Sequence, residues 1–330
     1  MSFYLKISIF FLTLILITAC QGPTTPVPTP TYTVTSSSGF GKTGKVVIPD
    51  FVNGLKVTAI GANAFSSSGE LTDITIPDSV TTIGDEAFAG CSSLTSLILP
   101  EGVTFIGRGA FSGCRSLTSF TFPPGVTSIS AYAFASSGLT SITIPNTITS
   151  LGAYSFAGCE GLTNLVIPDS VTSIGTKAFA YSGRLASVTL PNGITTIRDS
   201  LFFLCESLTS VTIPSSVITI EVSAFTFCTN LVNITIPSSV TTIENNAFEQ
   251  CLSLTNITLP SSVTFLGWRA LYNCTSLGTV VMNSTVPPSG GMYMFDINSG
   301  SLAIKVPFDS VAAYKSAKGW SDYKTSIISQ

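Results

Sequence analysis

The sequence contains no histidine, the side chain that most often serves as a general base near neutral pH and as a metal ligand. This absence excludes Ser-His-Asp and Cys-His catalysis by residues of this chain. Hydrolysis by carboxylates alone would need two of them in one pocket, but the 17 Asp and Glu residues are scattered. We interpret the adjacent Asp85 and Glu86 as a solvated surface pair, because the same position varies elsewhere in the chain. We therefore expect no enzymatic activity, no metal and no cofactor.

Charge is also scarce. Only 9% of the residues are charged, the net charge is −3, and no run of Lys or Arg resembles the basic tracts that follow phosphates. This composition excludes nucleic acid as the expected partner. The abundant Ser, Thr, Gly, Val, Ile and Leu instead favour a β-rich fold with a neutral, hydroxyl-covered surface.

The apolar run from Ile7 to Ile17 is too short to span a bilayer comfortably and follows a single basic residue, Lys6. We interpret residues 1–19 as a signal peptide. The sequence ITAC, which ends at Cys20, resembles the lipobox of bacterial lipoproteins, and this resemblance implies that the Cys20 sulfur carries a diacylglycerol. Gln21 follows it, a pattern that in Gram-negative lipoproteins accompanies sorting to the outer membrane. An ordinary signal peptide followed by an incidental cysteine is the alternative.

Residues 20–43 are expected to form a lipidated tether to the membrane. The stretch from Gly22 to Gly39 combines prolines, which extend the chain, with Ser and Thr and shows no apolar periodicity. At ~3 Å per extended residue, such a tether would hold the folded part tens of ångströms from the lipid.

A phrase resembling LTSVTIP, residues 208–214, occurs nine times in the chain. Its closing proline recurs every 23 residues, with a single step of 22 between Pro123 and Pro145. A fixed period of this length is typical of a solenoid, in which every repeat forms one coil and stacks on its neighbours.

The repeat Leu94–Cys114 illustrates the predicted coil. Residues Leu97–Leu99 alternate between apolar and outward positions, which indicates a short strand, and Pro100 turns the chain out of it. A second extended piece, Val103–Ile106, follows, and Phe111 is expected in a helical or 3₁₀ turn that points its ring inward. Stacking in parallel would make these apolar positions a continuous core of ten coils. The predicted core column consists of Phe65, Phe88, Phe111, Phe134, Phe156, Phe179, Phe202, Phe225 and Phe248, with Leu271 last.

Seven cysteines occupy one slot of this coil. Export favours disulfides between axial neighbours, but seven is an odd number once Cys20 is lipidated, and Cys159 has serine in the same slot on both sides. Buried free thiols that act as small apolar side chains are therefore the favoured interpretation. One cysteine per coil without histidine does not assemble a tetrahedral metal site.

The sequence LTDITIPDSVTTIGDEAFAGC, from Leu71 to Cys91, closely resembles the BspA-like leucine-rich repeats of bacterial and some protozoan surface proteins. The resemblance predicts a leucine-rich repeat solenoid over residues 44–282, mainly β with short helical turns. It also predicts a C-terminal cap over residues 283–330, with one last strand and then a helix that covers the open end with Val311, Tyr314 and Trp320.

The same resemblance implies a non-catalytic, adhesin-like protein displayed on the cell surface, which binds an extracellular matrix or host-surface protein or a glycan. We expect it to be exported, lipid-anchored and monomeric, and a structural or scaffolding role in the envelope without a soluble ligand is the alternative. The candidate binding surface is the outward face of the first strand of each coil, although threonine also simply suits exposed strands. Its candidate residues are Thr75, Thr121, Thr143, Asn164, Thr189, Thr212, Asn233, Thr235, Asn256 and Thr258.

Overall fold

The computed structural model describes residues 29–330. The predicted signal peptide and the lipidation site at Cys20 lie outside these residues. Residues Thr31–Gln330 form one unit, a solenoid of short strands that pair in parallel from coil to coil. The predicted leucine-rich repeat solenoid is therefore confirmed.

The strands of the solenoid form two rows. The first row, most of whose strands precede a proline, contains β2 (Gly44–Val47), β5 (Leu71–Thr75), β10 (Asn164–Val166), β12 (Ser187–Thr189), β14 (Ser210–Thr212), β16 (Asn233–Thr235), β18 (Asn256–Leu259), β20 (Thr279–Met282), β22 (Ala303–Val306) and β23 (Ile327–Ser329). The second row contains β1 (Thr31–Val34), β4 (Leu55–Ile60), β6 (Thr82–Ile83), β7 (Phe105–Ile106), β8 (Ser128–Ile129), β9 (Ser150–Leu151), β11 (Ser173–Ile174), β13 (Thr196–Ile197), β15 (Thr219–Ile220), β17 (Thr242–Ile243), β19 (Phe265–Leu266) and β21 (Ser289–Gly290). In three coils the first-row position, at 94–99, 117–122 and 139–144, is extended without a ladder.

Most coils build the turn between the two rows on a proline, and in five of them a serine also bonds to the preceding coil. The carbonyl of Pro77 accepts a hydrogen bond from the amide of Val80 at 3.0 Å, and the Ser79 hydroxyl donates to the carbonyl of Val57 in the preceding coil at 2.6 Å. The proline therefore ends the strand, while the serine two residues later ties the turn to its neighbour.

The phenylalanine column lies at the centre of the solenoid. The nine rings are at most 1% exposed, and each stacks on the next with ring centroids 5.2 to 6.1 Å apart. Leu271 completes the column and is fully buried. This arrangement confirms the predicted core, because each ring is covered by the coils above and below it.

The turn around each phenylalanine differs from the predicted helical or 3₁₀ segment. Around Phe65, the residues two before and two after it, Asn63 and Ser67, have positive φ angles of 56° and 60°. This geometry points alternate amides toward the following coil, so that the amide of Phe65 donates to the carbonyl of Ala87 at 2.8 Å. The turn therefore forms a third ladder of hydrogen bonds between coils, which a continuous helical turn would not provide.

The solenoid has about 13 turns, more than the ten that the repeat pattern predicts. The additional first-row strands are β20, β22 and β23, whose sequences lack the regular LTxITIP phrase. At the other end, β1 lies within the stretch predicted as tether and pairs in parallel with β4. Both ends therefore extend the stack with sequences that do not match the consensus repeat.

The segment between Pro49 and Val57 is five residues longer than the equivalent segment between Pro77 and Val80, and it forms a small hairpin. Strand β3 (Phe51–Val52) pairs antiparallel with the start of β4. Asn53 and Gly54, at the tip, have positive φ angles of 49° and 76°, as a two-residue turn between antiparallel strands requires.

The C-terminal cap contains the predicted strand and helix, followed by a further strand. After β22 come a 3₁₀ helix (Phe308–Ser310), α1 (Val311–Ser316) and a second 3₁₀ helix (Ser321–Tyr323). Tyr314 and Trp320 are fully buried, whereas Val311 is partly buried. The Tyr314 hydroxyl donates to the carbonyl of Ser284, and the Trp320 indole N–H donates to that of Pro288. Strand β23 then pairs with β22, so the helix does not end the chain.

Replacing one ring of the phenylalanine column tests the role of stacking. Phe179→Ala should lower the free energy of unfolding by ~3–5 kcal/mol, because a buried ring is removed from between two others. Phe105→Ala is the matched control, since this ring is 50% exposed, and should cost at most ~1 kcal/mol. Urea unfolding measures both values, and equal costs would contradict the importance of the column.

Candidate functional site

The predicted binding residues lie on the outer face of the first row. Strand alternation places Val188 in the core at 6% exposed and turns Ser187 and Thr189 outward. The ten candidates are all exposed, and we call the surface that they form the strand face: Thr75, Thr121, Thr143, Asn164, Thr189, Thr212, Asn233, Thr235, Asn256 and Thr258.

Parallel pairing aligns the side chains of the strand face in columns. Ser187, Ser210 and Asn233 are register partners in successive strands, as are Thr189, Thr212 and Thr235 in the neighbouring column. Side chains also bond along a column, where the Ser187 hydroxyl donates to Asn164 Oδ1 at 2.6 Å. The stack therefore fixes the spacing of these groups from one coil to the next.

The strand face combines neutral polar groups with exposed apolar side chains. Hydroxyls and amides donate and accept hydrogen bonds, and the columns also carry Ile98 and Val166, which are 86% and 66% exposed. At its N-terminal end, the charged residues Lys45 and Asp73 are register partners, and the Lys45 ammonium lies 3.8 Å from the Asp73 carboxylate. This arrangement suits hydrogen-bonded and apolar contact with a large partner.

The acidic pair noted in the sequence has a structural role. Asp85 Oδ1 accepts a hydrogen bond from the amide of Arg108 in the next coil at 2.8 Å. In residues 29–330, no group of three or more Cys, Asp or Glu side chains is placed to hold a metal ion. The Asp85 carboxylate therefore contributes to stacking between coils.

The cysteine slot is buried, and its seven thiols are free. Each thiol points at the carbonyl of a phenylalanine in the preceding coil, as for Cys228, whose Sγ lies 3.2 Å from the carbonyl oxygen of Phe202. Ser182 takes the same slot and donates to the carbonyl of Phe156 at 3.0 Å. The thiols are therefore weak donors as well as apolar side chains. The second serine in this slot, Ser137, instead places its hydroxyl 3.5 Å from Cys159 Sγ.

Burial raises the pKa of these thiols. The pKa of Cys91 rises from 9.0 to about 11 and that of Cys205 to about 12, in each case mainly because the apolar surroundings disfavour the thiolate. The folded chain therefore holds the thiol protons more tightly than the unfolded chain does. These thiols therefore leave the free energy of unfolding unchanged well below pH 9 and lower it as the pH rises from 9 toward 12.

Thiol reactivity tests this description. In a Cys20→Ala chain, the seven remaining cysteines should not react with an aromatic disulfide reagent at pH 8 until the chain is unfolded, because their thiolates are scarce and buried. Cys205→Ser should keep the hydrogen bond, as Ser182 does, and should reduce the loss of stability between pH 8 and pH 10. Rapid labelling of the native chain would contradict the buried slot.

Comparison with known proteins agrees with this architecture. The sequence profile of the BspA type leucine-rich repeat region matches residues 58–186 and 172–298. A leucine-rich repeat protein from Bacteroides ovatus is 27% identical with a TM-score of 0.63, over 87% of this chain and 74% of that chain. A leucine-rich cell surface protein from Faecalibacterium prausnitzii is 25% identical with a TM-score of 0.51, over 87% of this chain and 86% of that chain. No curated protein matches the sequence.

Proteins that carry these repeats are typically found at the cell surface, and the repeat is generally a non-catalytic scaffold for binding. Among the residues that the structure describes, no helix is long and apolar enough to cross a membrane.

Proposed function

The chain belongs to the BspA-type leucine-rich repeat family, and we propose that it is a lipid-anchored surface protein that binds host or partner-cell proteins through the strand face. The observation that carries this proposal is the register of the exposed columns, in which Thr189, Thr212 and Thr235 follow one another in parallel strands. A surface fixed in this way loses little conformational entropy when it binds, which favours affinity.

The composition of the strand face supports a protein as the partner. Its side chains are mostly neutral donors and acceptors, with exposed aliphatic groups at Ile98 and Val166. Protein interfaces combine apolar contact with about one hydrogen bond per 100–200 Å², whereas nucleic acid requires a basic surface. A purely structural role in the envelope is the alternative, because exposed strands carry threonine without any ligand.

Anchoring through Cys20 is the second part of the proposal. The ITAC sequence at the end of an apolar run supports lipidation, and Gln21 supports sorting to the outer membrane. Several acyl chains on one residue would give stable attachment, since each buried methylene contributes ~0.8 kcal/mol. The monomeric solenoid would then face the medium at the end of the tether.

Binding to immobilised matrix proteins tests the strand face. The native chain should bind at least one of fibronectin, fibrinogen, laminin and collagen. Thr189→Arg combined with Thr212→Arg should reduce that binding at least tenfold, because two long charged side chains would stand on a neutral contact surface. Surface plasmon resonance measures the affinities.

The matched control places the same side chains outside the strand face. Thr172 and Thr195 are exposed in the loops that lead into the second row, and their replacement by arginine should leave binding unchanged. Equal loss in both double variants would refute the strand face as the site. Absence of binding to matrix and cell-surface proteins at micromolar concentration, with an intact fold, would favour the structural alternative.

Protease treatment of intact cells tests the anchor. Wild-type chain should be digested at the cell surface, and Cys20→Ala should remove the protease-sensitive protein from the cell fraction, because the lipid no longer holds it. Protection of the wild type in intact cells would place the solenoid inside the envelope and would contradict surface display.

A further inference from the structure

The one coil of 22 residues differs from its neighbours in a single place. Six positions separate Phe111 from Leu117, and Phe156 from Leu162, but only five separate Phe134 from Leu139. The residue is therefore missing from the connection between the phenylalanine turn and the next first-row segment. The second-row pairing of β8 with β9 and the phenylalanine column continue through this coil, whereas its first-row segment at 139–144 has no ladder.

Gly138 makes the shortened connection possible. It lies so close to the preceding coil that a Cβ atom placed on it would stand 2.0 Å from the carbonyl oxygen of Arg115. The Gly138 amide donates to the carbonyl of Cys114 at 3.0 Å. The connection is thus drawn inward against its neighbour, and the flanking connections at Arg115 and Glu160 remain at full length.

The withdrawn connection leaves a notch of about 650 Å³ in this edge of the solenoid. The notch is lined by Arg115, Tyr132, Gly138, Tyr154, Glu160 and Tyr181, together with small Gly, Ser and Ala residues. Its volume lies within the ~300–1,000 Å³ of typical small-molecule sites. It lies outside the strand face, whose residues are absent from its lining.

One wall of the notch is held by a stack of side chains from four coils. The rings of Tyr132 and Tyr154 are parallel with centroids 4.6 Å apart. The Arg108 guanidinium lies 4.3 Å from the Tyr132 ring, and the Lys177 ammonium lies 5.5 Å from the Tyr154 ring on the other side. Cation–π contact at both ends favours this arrangement, so the tyrosines are ordered before any ligand arrives.

Arg115 and Glu160 occupy equivalent positions in their coils, directly after Cys114 and Cys159, on either side of Gly138. The Arg115 guanidinium supplies only hydrogen-bond donors, and the Glu160 carboxylate supplies only acceptors. Serine and tyrosine hydroxyls, which do both, line the space between them. The two charges balance, so the lining offers both kinds of hydrogen bond without a net preference for a charged ligand.

The lining contains no Leu, Ile, Val, Met or Phe side chain. A peptide ligand usually depends on an anchor side chain in an apolar pocket, which the notch does not offer. The aromatic surface available is Tyr181, which is 48% exposed and can meet the C–H face of a sugar ring. We propose that the notch binds a neutral oligosaccharide, with Arg115 and Glu160 on its hydroxyls and Tyr181 against a ring. This proposal is independent of the strand face.

Calorimetric titration of the full chain tests the proposal with maltohexaose, cellohexaose, xylohexaose and chitohexaose as neutral probes. A sulfated heparin hexasaccharide and a mixed-sequence hexapeptide are the comparison ligands. At least one neutral hexasaccharide should bind. Glu160→Gln, Arg115→Gln and Tyr181→Ala should each weaken this binding about tenfold, because each removes a strong hydrogen-bond partner or the stacking ring.

Matched variants separate the notch from other surfaces. Glu101→Gln and Tyr293→Ala should bind as the wild type does, since Glu101 is exposed outside the notch and Tyr293, 47% exposed, lies near the C-terminus. Thr189→Arg on the strand face should also have no effect. Insertion of one alanine between Ser137 and Gly138 restores a 23-residue coil and should abolish binding.

Three results would overturn the proposal: no neutral hexasaccharide binds, the heparin or peptide probe binds in preference, or the three notch variants bind as tightly as the wild type. The point variants replace exposed side chains and decide the question even if the insertion impairs folding.

Discussion

Stacking between neighbouring coils is the constraint on which the whole molecule depends. A single coil cannot cover its own phenylalanine, and each ring becomes buried only between the rings of the adjacent coils. The backbone follows the same rule, because two strand rows and the phenylalanine turn all place hydrogen bonds across the coil boundary. Side chains such as Ser79 and Cys228 also bond to the neighbouring coil. Every periodic position in the repeat therefore has its physical reason in the coil next to it.

The same dependence explains how much of the fold the sequence reveals. Apolar positions of fixed spacing predict the strands and the phenylalanine column, since burial requires those residue types. The local geometry of the turn at Phe65 was not predictable from propensity, because Asn63 and Ser67 adopt positive φ to serve hydrogen bonds to another coil. The ends were underestimated for a related reason. Strands β20 and β23 bury Val280, Met282 and Ile327 in the same core, but their sequences lack the repeated phrase and its closing proline, so the period does not reveal them.

The strand face and the cysteine slot differ in how much of each could be predicted from the sequence. Alternation along each strand predicted which residues point outward, and all ten members of the strand face are exposed. It could not predict a partner, because a threonine that stabilises an exposed strand and one that contacts a ligand are the same residue in the same position. The cysteine slot shows the reverse case. The hydrogen bond to the phenylalanine carbonyl depends on a three-dimensional approach, yet serine at position 182 indicates that a donor is useful there.

In a repeat fold, the residues at consensus positions hold neighbouring coils together. Residues with other chemistry are therefore found where one repeat departs from the consensus. The loss of one residue before Leu139 leaves the core intact but moves the connection inward, which only a glycine at position 138 permits. Arg115 and Glu160 then lie on either side of this short coil, and both line the notch. The strand face is ordered because its strands keep the same register from coil to coil. The notch is present where one coil is a residue shorter than its neighbours. In this solenoid, a change of one residue in length therefore alters a surface while the phenylalanine column beneath it remains continuous.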